Sequence, residues 1–169
     1  MAAKGRIAII IARVVALLSG TILMGIIAAN GRVTDNFFDT QVCIYNQVDA
    51  ACRYAEAVGA LGLVFGVLLA FADFLILLEI EEERIKTFNL VSIIVAAFMA
   101  FASLVCFGVL EAEWAANSPR QERVVRELND GAVSGQSAIA FCFIGMASWI
   151  VVVVLCSLDQ RKQGSMSVS

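Results

Sequence analysis

Apolar residues fill four long stretches of the chain, and polar residues are confined to the gaps between them. The stretches run from about Ile7 to Ala29, Ala55 to Leu78, Phe88 to Leu110 and Ala138 to Leu158. Each has roughly 20 residues or more, the length that carries a helix across a hydrocarbon core of about 30 Å. Within such a core each segment must satisfy its own backbone hydrogen bonds, which an α-helix does. The pattern predicts an all-α membrane protein: one four-helix transmembrane bundle over 1–169, with short loops and a short polar tail over 159–169.

The first stretch also has features of a cleaved signal, with Lys4 and Arg6 before it and Ala28 and Ala29 at its end. Arg13 interrupts that run, and its length exceeds an ordinary signal core, so a retained span is the better reading. Placing both termini in the cytosol puts all three lysines, Lys4, Lys86 and Lys162, on the inside. That agrees with the positive-inside rule. The segment 30–54 then lies outside and holds two of the five cysteines, Cys43 and Cys52. A bridge between them would close a short loop and add roughly 2–3 kcal/mol on the chain-entropy model; two unpaired thiols are the alternative. Cys106 and Cys142 read as small core or membrane-facing residues, and Cys156 as a palmitoylation candidate near the inner end of the fourth span.

The second span carries the most information. Glu56, Gly59, Gly62, Gly66, Ala70 and Asp73 recur at three- and four-residue intervals, so they form one stripe. Small residues there let a neighbouring backbone come close, and Gly62 with Gly66 has the GxxxG spacing. Packing inside the bundle is favoured over homodimerisation. An unpaired acid near the bilayer centre costs about 2.5–3.5 kcal/mol on the mildest scale. Asp73 therefore needs a partner, and Arg13 lies at matching depth in the first span. An Arg13–Asp73 ion pair clasping the two helices is expected, with a proton or ion relay as the alternative. The third span offers a small face at Ala96, Ala97, Ala100 and Ser103, and Trp114 at its end suits an interfacial anchor. Residues 119–130 are expected to form a short amphipathic helix, with Glu122–Arg126 and Arg123–Glu127 at i, i+4. The acidic turn from Glu79 to Thr87 reads as solvated.

Composition sharpens this picture. Sixty per cent of residues are hydrophobic, 16% are charged and only one is proline; mean hydropathy is +0.86. The net charge of −3 argues against a nucleic-acid partner, which requires a basic surface. Histidine is absent, removing the commonest acid–base group and metal ligand. No P-loop, G-x-S-x-G, CxxC or HExxH pattern occurs. The chain thus reads as non-enzymatic, with no cofactor and no metal site. Asn117-Ser118-Pro119 is not a glycosylation sequon.

Several segments resemble the synaptogyrins, four-span MARVEL-domain proteins related to synaptophysin. Cys43-Ile44-Tyr45-Asn46 through Cys52-Arg53-Tyr54 to Ala57-Val58-Gly59, with Asp73 beyond, is similar to their first lumenal loop and second span. The opening Arg13-Val14-Val15-Ala16-Leu17-Leu18-Ser19 resembles the start of their first span. Cys106-Phe107 with Trp114, and Ala138-Ile139-Ala140-Phe141 with Ser148-Trp149, extend the likeness through the last two. The resemblance implies a MARVEL-like bundle with a Cys43–Cys52 bridge and intramembrane polar positions at Arg13 and Asp73. It further implies a vesicle membrane protein with cytosolic termini, acting in vesicle biogenesis, membrane trafficking and regulated exocytosis. The partners implied are membrane lipids, other vesicle membrane proteins and a homo-oligomer. The tail after Asp159 is shorter than that of neuronal members, and the acidic turn is unlike theirs. Two other classes compete. A claudin- or peripheral-myelin-like junction protein would carry a tryptophan-bearing outer loop, which is missing here. An ion-transport accessory subunit would need more polar groups than Arg13, Glu56 and Asp73.

Overall fold

The structure is a computed structural model that describes residues 3–30, 32–35, 40–45, 49–78, 82–116 and 130–166. Four helices account for most of them: α1 (Ala3–Asn30), α2 (Asp49–Leu78), α3 (Glu82–Ala115) and α4 (Asp130–Met166). Each contains a stretch long and apolar enough to cross a membrane, at Ile7–Ala29, Asp49–Phe74, Thr87–Ala115 and Gly135–Arg161. The second begins earlier than the apolar run alone predicts. Asp49 sits in the first turn, where a negative charge meets the positive end of the helix, and pairs with Arg53 one turn on at 2.6 Å. The amphipathic helix expected over 119–130 falls outside the described residues, except that Asp130 begins α4, and so does the turn at 79–81.

The helices carry large apolar side chains outward as well as inward. Phe71, Ile94 and Phe101 stand 60–65% exposed, while the interior mixes Trp149, Met99 and Leu110 with small residues such as Ala16, Ala55, Ala96 and Ala138 and all five cysteines. Lipid tails are as apolar as leucine, so burying large side chains gains little in a membrane, and close backbone approach gains more. Hydroxyls within the spans accept the same logic and bond back to their own helix: Ser19 to the Ala16 carbonyl, Thr21 to Leu17, Ser148 to Ile144 and Ser157 to Val153, at 2.7–2.9 Å. On α3 the expected small face is only partly realised. Ala96 and Ser103 point inward together with Met99, whereas Ala97 faces outward, because the inner stripe follows 96, 99 and 103.

α1 packs against both α2 and α4, α3 packs against α4, and α2 meets α3 more lightly. The α1–α2 seam brings two backbones close together. A Cβ placed on Gly59 would lie 2.9 Å from the Met24 Cβ and 3.0 Å from the Gly20 carbonyl oxygen. One placed on Gly66 would meet Leu17 at 2.9 Å, and Gly62 sits against the Gly20 backbone. The glycine stripe therefore faces α1 within the chain, and Ala70 further along is half-buried.

Between α1 and α2 the chain forms a two-stranded antiparallel ribbon, β1 (Arg32–Asp35) and β2 (Thr40–Cys43), with Arg32 opposite Cys43 and Asp35 opposite Thr40. A plain loop was expected there. Val33, Thr34, Thr40 and Val42 are strand formers on either side of a polar turn segment, and that is the signal the apolar-run reading passed over.

Candidate functional site

Two clusters of chemically distinctive residues lie at opposite ends of the bundle. At the end where α1 starts and α4 finishes, the Arg13 side chain is 1% exposed. Its guanidinium forms an ion pair with the Asp73 carboxylate of α2, whose side chain keeps 19% exposure. The same guanidinium lies 3.7 Å from the Cys156 Sγ of α4 and 5.1 Å from the centre of the Phe88 ring of α3. A cation over an aromatic face is attracted by the ring quadrupole. One side chain thus touches all three other helices. Beside Phe88 on α3, Asn89 donates a 3.0 Å hydrogen bond to Asp159, about a turn beyond Cys156 on α4, both buried.

Sequence reasoning anticipates the α2 partner of Arg13 and misses the α3 and α4 partners. Charge complementarity singles out Asp73; a thiol and a phenyl ring carry no such signal. Cys156 is fully buried with its sulfur turned toward Arg13. This corrects the palmitoylation expectation, because an acyl chain on that sulfur would have to displace the core.

At the opposite end, the hairpin is tied down by the Cys43–Cys52 disulfide, which joins the last residue of β2 to the first turn of α2. The bridge delivers Ile44 and Tyr45 into the mouth of the bundle, where both are buried. The Tyr45 hydroxyl donates a 2.9 Å hydrogen bond to the Gly135 carbonyl of α4, and its ring meets Trp114 edge-on at 5.9 Å. Burial pushes the Tyr45 hydroxyl's pKa above its ordinary value of 10.0, with Cys142 and Cys106 adding to the shift. Trp114 stands near the end of α3 on the hairpin side of the bundle, the position of an interfacial anchor. Its ring, however, packs within the protein, over Gly135 and against Tyr45, and is only half-buried. Gly135 is the partner that makes this possible, since a Cβ there would occupy the indole's place.

Beneath this lid, Cys142 and Cys106 face each other across the α3–α4 seam, buried in the core. Of the two alternatives, core and membrane-facing, both residues take the core. Near mid-bundle a cavity of about 10 Å³, room for about one water, is bordered by Ser19, Gly20, Gly62, Met99, Ser103 and Gly145. Among the described residues, no group of three or more Cys, Asp and Glu side chains is placed to hold a metal ion. Glu56 is half-buried near the hairpin end of α2.

No family model matches the chain. Direct comparison with known proteins does find relatives. Synaptogyrin-1 of Homo sapiens is 32% identical over 146 residues, 86% of this chain and 60% of the relative. Synaptogyrin-2 of Mus musculus is 29% identical over 147 residues, 86% of this chain and 62% of the relative. Synaptogyrin-1 of Rattus norvegicus is 32% identical over 146 residues. The chain spans about 60% of the length of these relatives.

Proposed function

We propose that the chain is a synaptogyrin-like, multi-pass membrane protein that resides in synaptic or other cytoplasmic vesicles with both termini in the cytosol. There it acts, without catalysing a reaction, in vesicle biogenesis, membrane trafficking and regulated exocytosis. The observation that carries this reading is the likeness to synaptogyrins along 86% of the chain. Its physical basis lies in where the bundle commits its groups. The interior is consumed by glycine contacts, the Arg13 clasp and the disulfide-tethered lid, so the outer surface is left for lipid and for neighbouring membrane proteins. Large outward side chains such as Phe71, Phe74, Phe98 and Phe101 provide that surface. A self-contained bundle of this kind can gather in a curved membrane through its cross-section, or group other vesicle proteins and further copies of itself through its lipid-facing helices.

The test is quantitative imaging of a tagged chain against vesicle, plasma-membrane and cell-junction markers, paired with immunoisolation of small vesicles. Enrichment on small vesicles is the expected result. Concentration at cell–cell contacts would overturn the vesicle reading in favour of a junction protein, with the hairpin as the contact element.

A further inference from the structure

Three of the five cysteines remain as thiols, and two of them are opposed. The Cys142 and Cys106 sulfurs lie 3.0 Å apart, on α4 and α3, and both residues are buried. They belong to the same core cluster as Cys43 and Cys52 and lie toward the same end of the bundle. That end already carries a disulfide. Whichever compartment it faces is therefore one in which thiols are oxidised and remain so.

We propose that Cys106 and Cys142 are a second disulfide site, cross-linking α3 to α4. The sulfurs need to close by about 1 Å to reach bonding distance, a displacement that side-chain rotation supplies. The oxidant is a disulfide of the compartment, either a small-molecule disulfide or an oxidoreductase in its disulfide form. One cysteine thiolate attacks a sulfur of that oxidant, forming a mixed disulfide and releasing one thiolate. The second cysteine thiolate attacks the bonded cysteine sulfur, forming the Cys106–Cys142 bond and releasing the other thiolate. The two protons lost by the cysteines end on the two released thiols. Two electrons pass from the pair to the oxidant, which is reduced to two thiols.

The lid sets the order of events. Tyr45 and Trp114 meet over Gly135 at this end of α4, and Cys142 lies two turns further along the same helix. A bulky disulfide carrier must reach the sulfurs before the hairpin docks, so the bond forms during assembly. Once the lid closes it is shielded from reductants. The consequence is a covalent tie across the α3–α4 seam, where the 36-residue separation encloses the whole outer connection. The Cys43–Cys52 bond closes only nine residues. The longer loop constrains the unfolded chain more.

Differential alkylation of the full chain in cells tests this. Cells are quenched in acid, proteins are denatured and free thiols are capped with light N-ethylmaleimide. Disulfides are then reduced and the new thiols capped with the heavy reagent, and each cysteine is read by peptide mass. Cys106 and Cys142 are expected to carry predominantly the heavy label, as Cys43 and Cys52 do. Predominantly light label on both would overturn the proposal and leave a thiol–thiol hydrogen bond. In a Cys142→Ser chain, Cys106 is expected to switch to the light label. Retention of heavy label there would mean a different partner and would equally overturn the pairing. Neither outcome depends on where in the cell the protein resides.

Discussion

Removing the Asp73 carboxylate leaves the buried Arg13 guanidinium without its ion-pair partner. The Arg13 guanidinium is a buried cation, its side chain 1% exposed. In Asp73→Ala the guanidinium keeps, among the described residues, the Cys156 sulfur at 3.7 Å and the Phe88 ring at 5.1 Å, neither of which is a carboxylate. Breaking a buried pair from one side costs about 3–5 kcal/mol, because the orphaned charge retains its desolvation penalty. For a chain of this size that corresponds to a fall in midpoint temperature of roughly 6–20 °C. Arg13→Met should cost less, since Asp73 keeps 19% side-chain exposure and can hydrate. The double variant Arg13→Met/Asp73→Ala removes both charges and should recover most of the loss, leaving chiefly the packing defect. The assay is thermal stability of detergent-solubilised protein by fluorescence-detected size exclusion, with surface or vesicle expression measured beside it. A double variant no more stable than Asp73→Ala would refute the clasp. So would an Asp73→Ala protein within about 1 °C of the parent.

Glycines differ sharply in what they face, and that difference is testable. Gly59→Ala drives a Cβ into the Met24 and Gly20 backbone region and should cost about 1–3 kcal/mol, whereas Gly25→Ala meets nothing within 4 Å and should be neutral or slightly stabilising; equal midpoints for the two would contradict the seam. Tyr45→Phe deletes the bond to the Gly135 carbonyl and should cost about 1 kcal/mol in the same thermal assay. Because the folded state raises the Tyr45 pKa, its contribution is fully present below about pH 10 and is lost as pH rises beyond that. The parent should therefore lose more stability than Tyr45→Phe between about pH 9 and 11, and parallel curves would count against a buried hydroxyl.

The four spans were legible in the sequence because lipid imposes a one-dimensional requirement, about 20 consecutive apolar residues, that needs no knowledge of neighbours. The glycine stripe on α2 was legible for a similar reason, since three- and four-residue spacing places residues on one face whatever that face meets. Asp73 and Arg13 could be matched because opposite charges at equal depth have few alternatives in a membrane. What the stripe meets was not legible. Gly20, which opposes Gly59 and Gly62, is one small residue in an α1 that also carries Gly25, and only the docked helices distinguish the two. The side chains that make Arg13 a four-helix junction, Phe88 and Cys156, look like ordinary apolar residues until α3 and α4 are set around it. The same holds for the lid. Tyr45 and Gly135 lie 90 residues apart, and no periodicity links them; their hydrogen bond exists because the hairpin folds back over the bundle mouth. Local composition thus determined which segments enter the membrane and which faces turn inward. Only the tertiary structure decided which inward faces meet, because close packing of four helices depends on complementary shapes, and the shapes belong to pairs of helices that the order of residues along the chain does not pair.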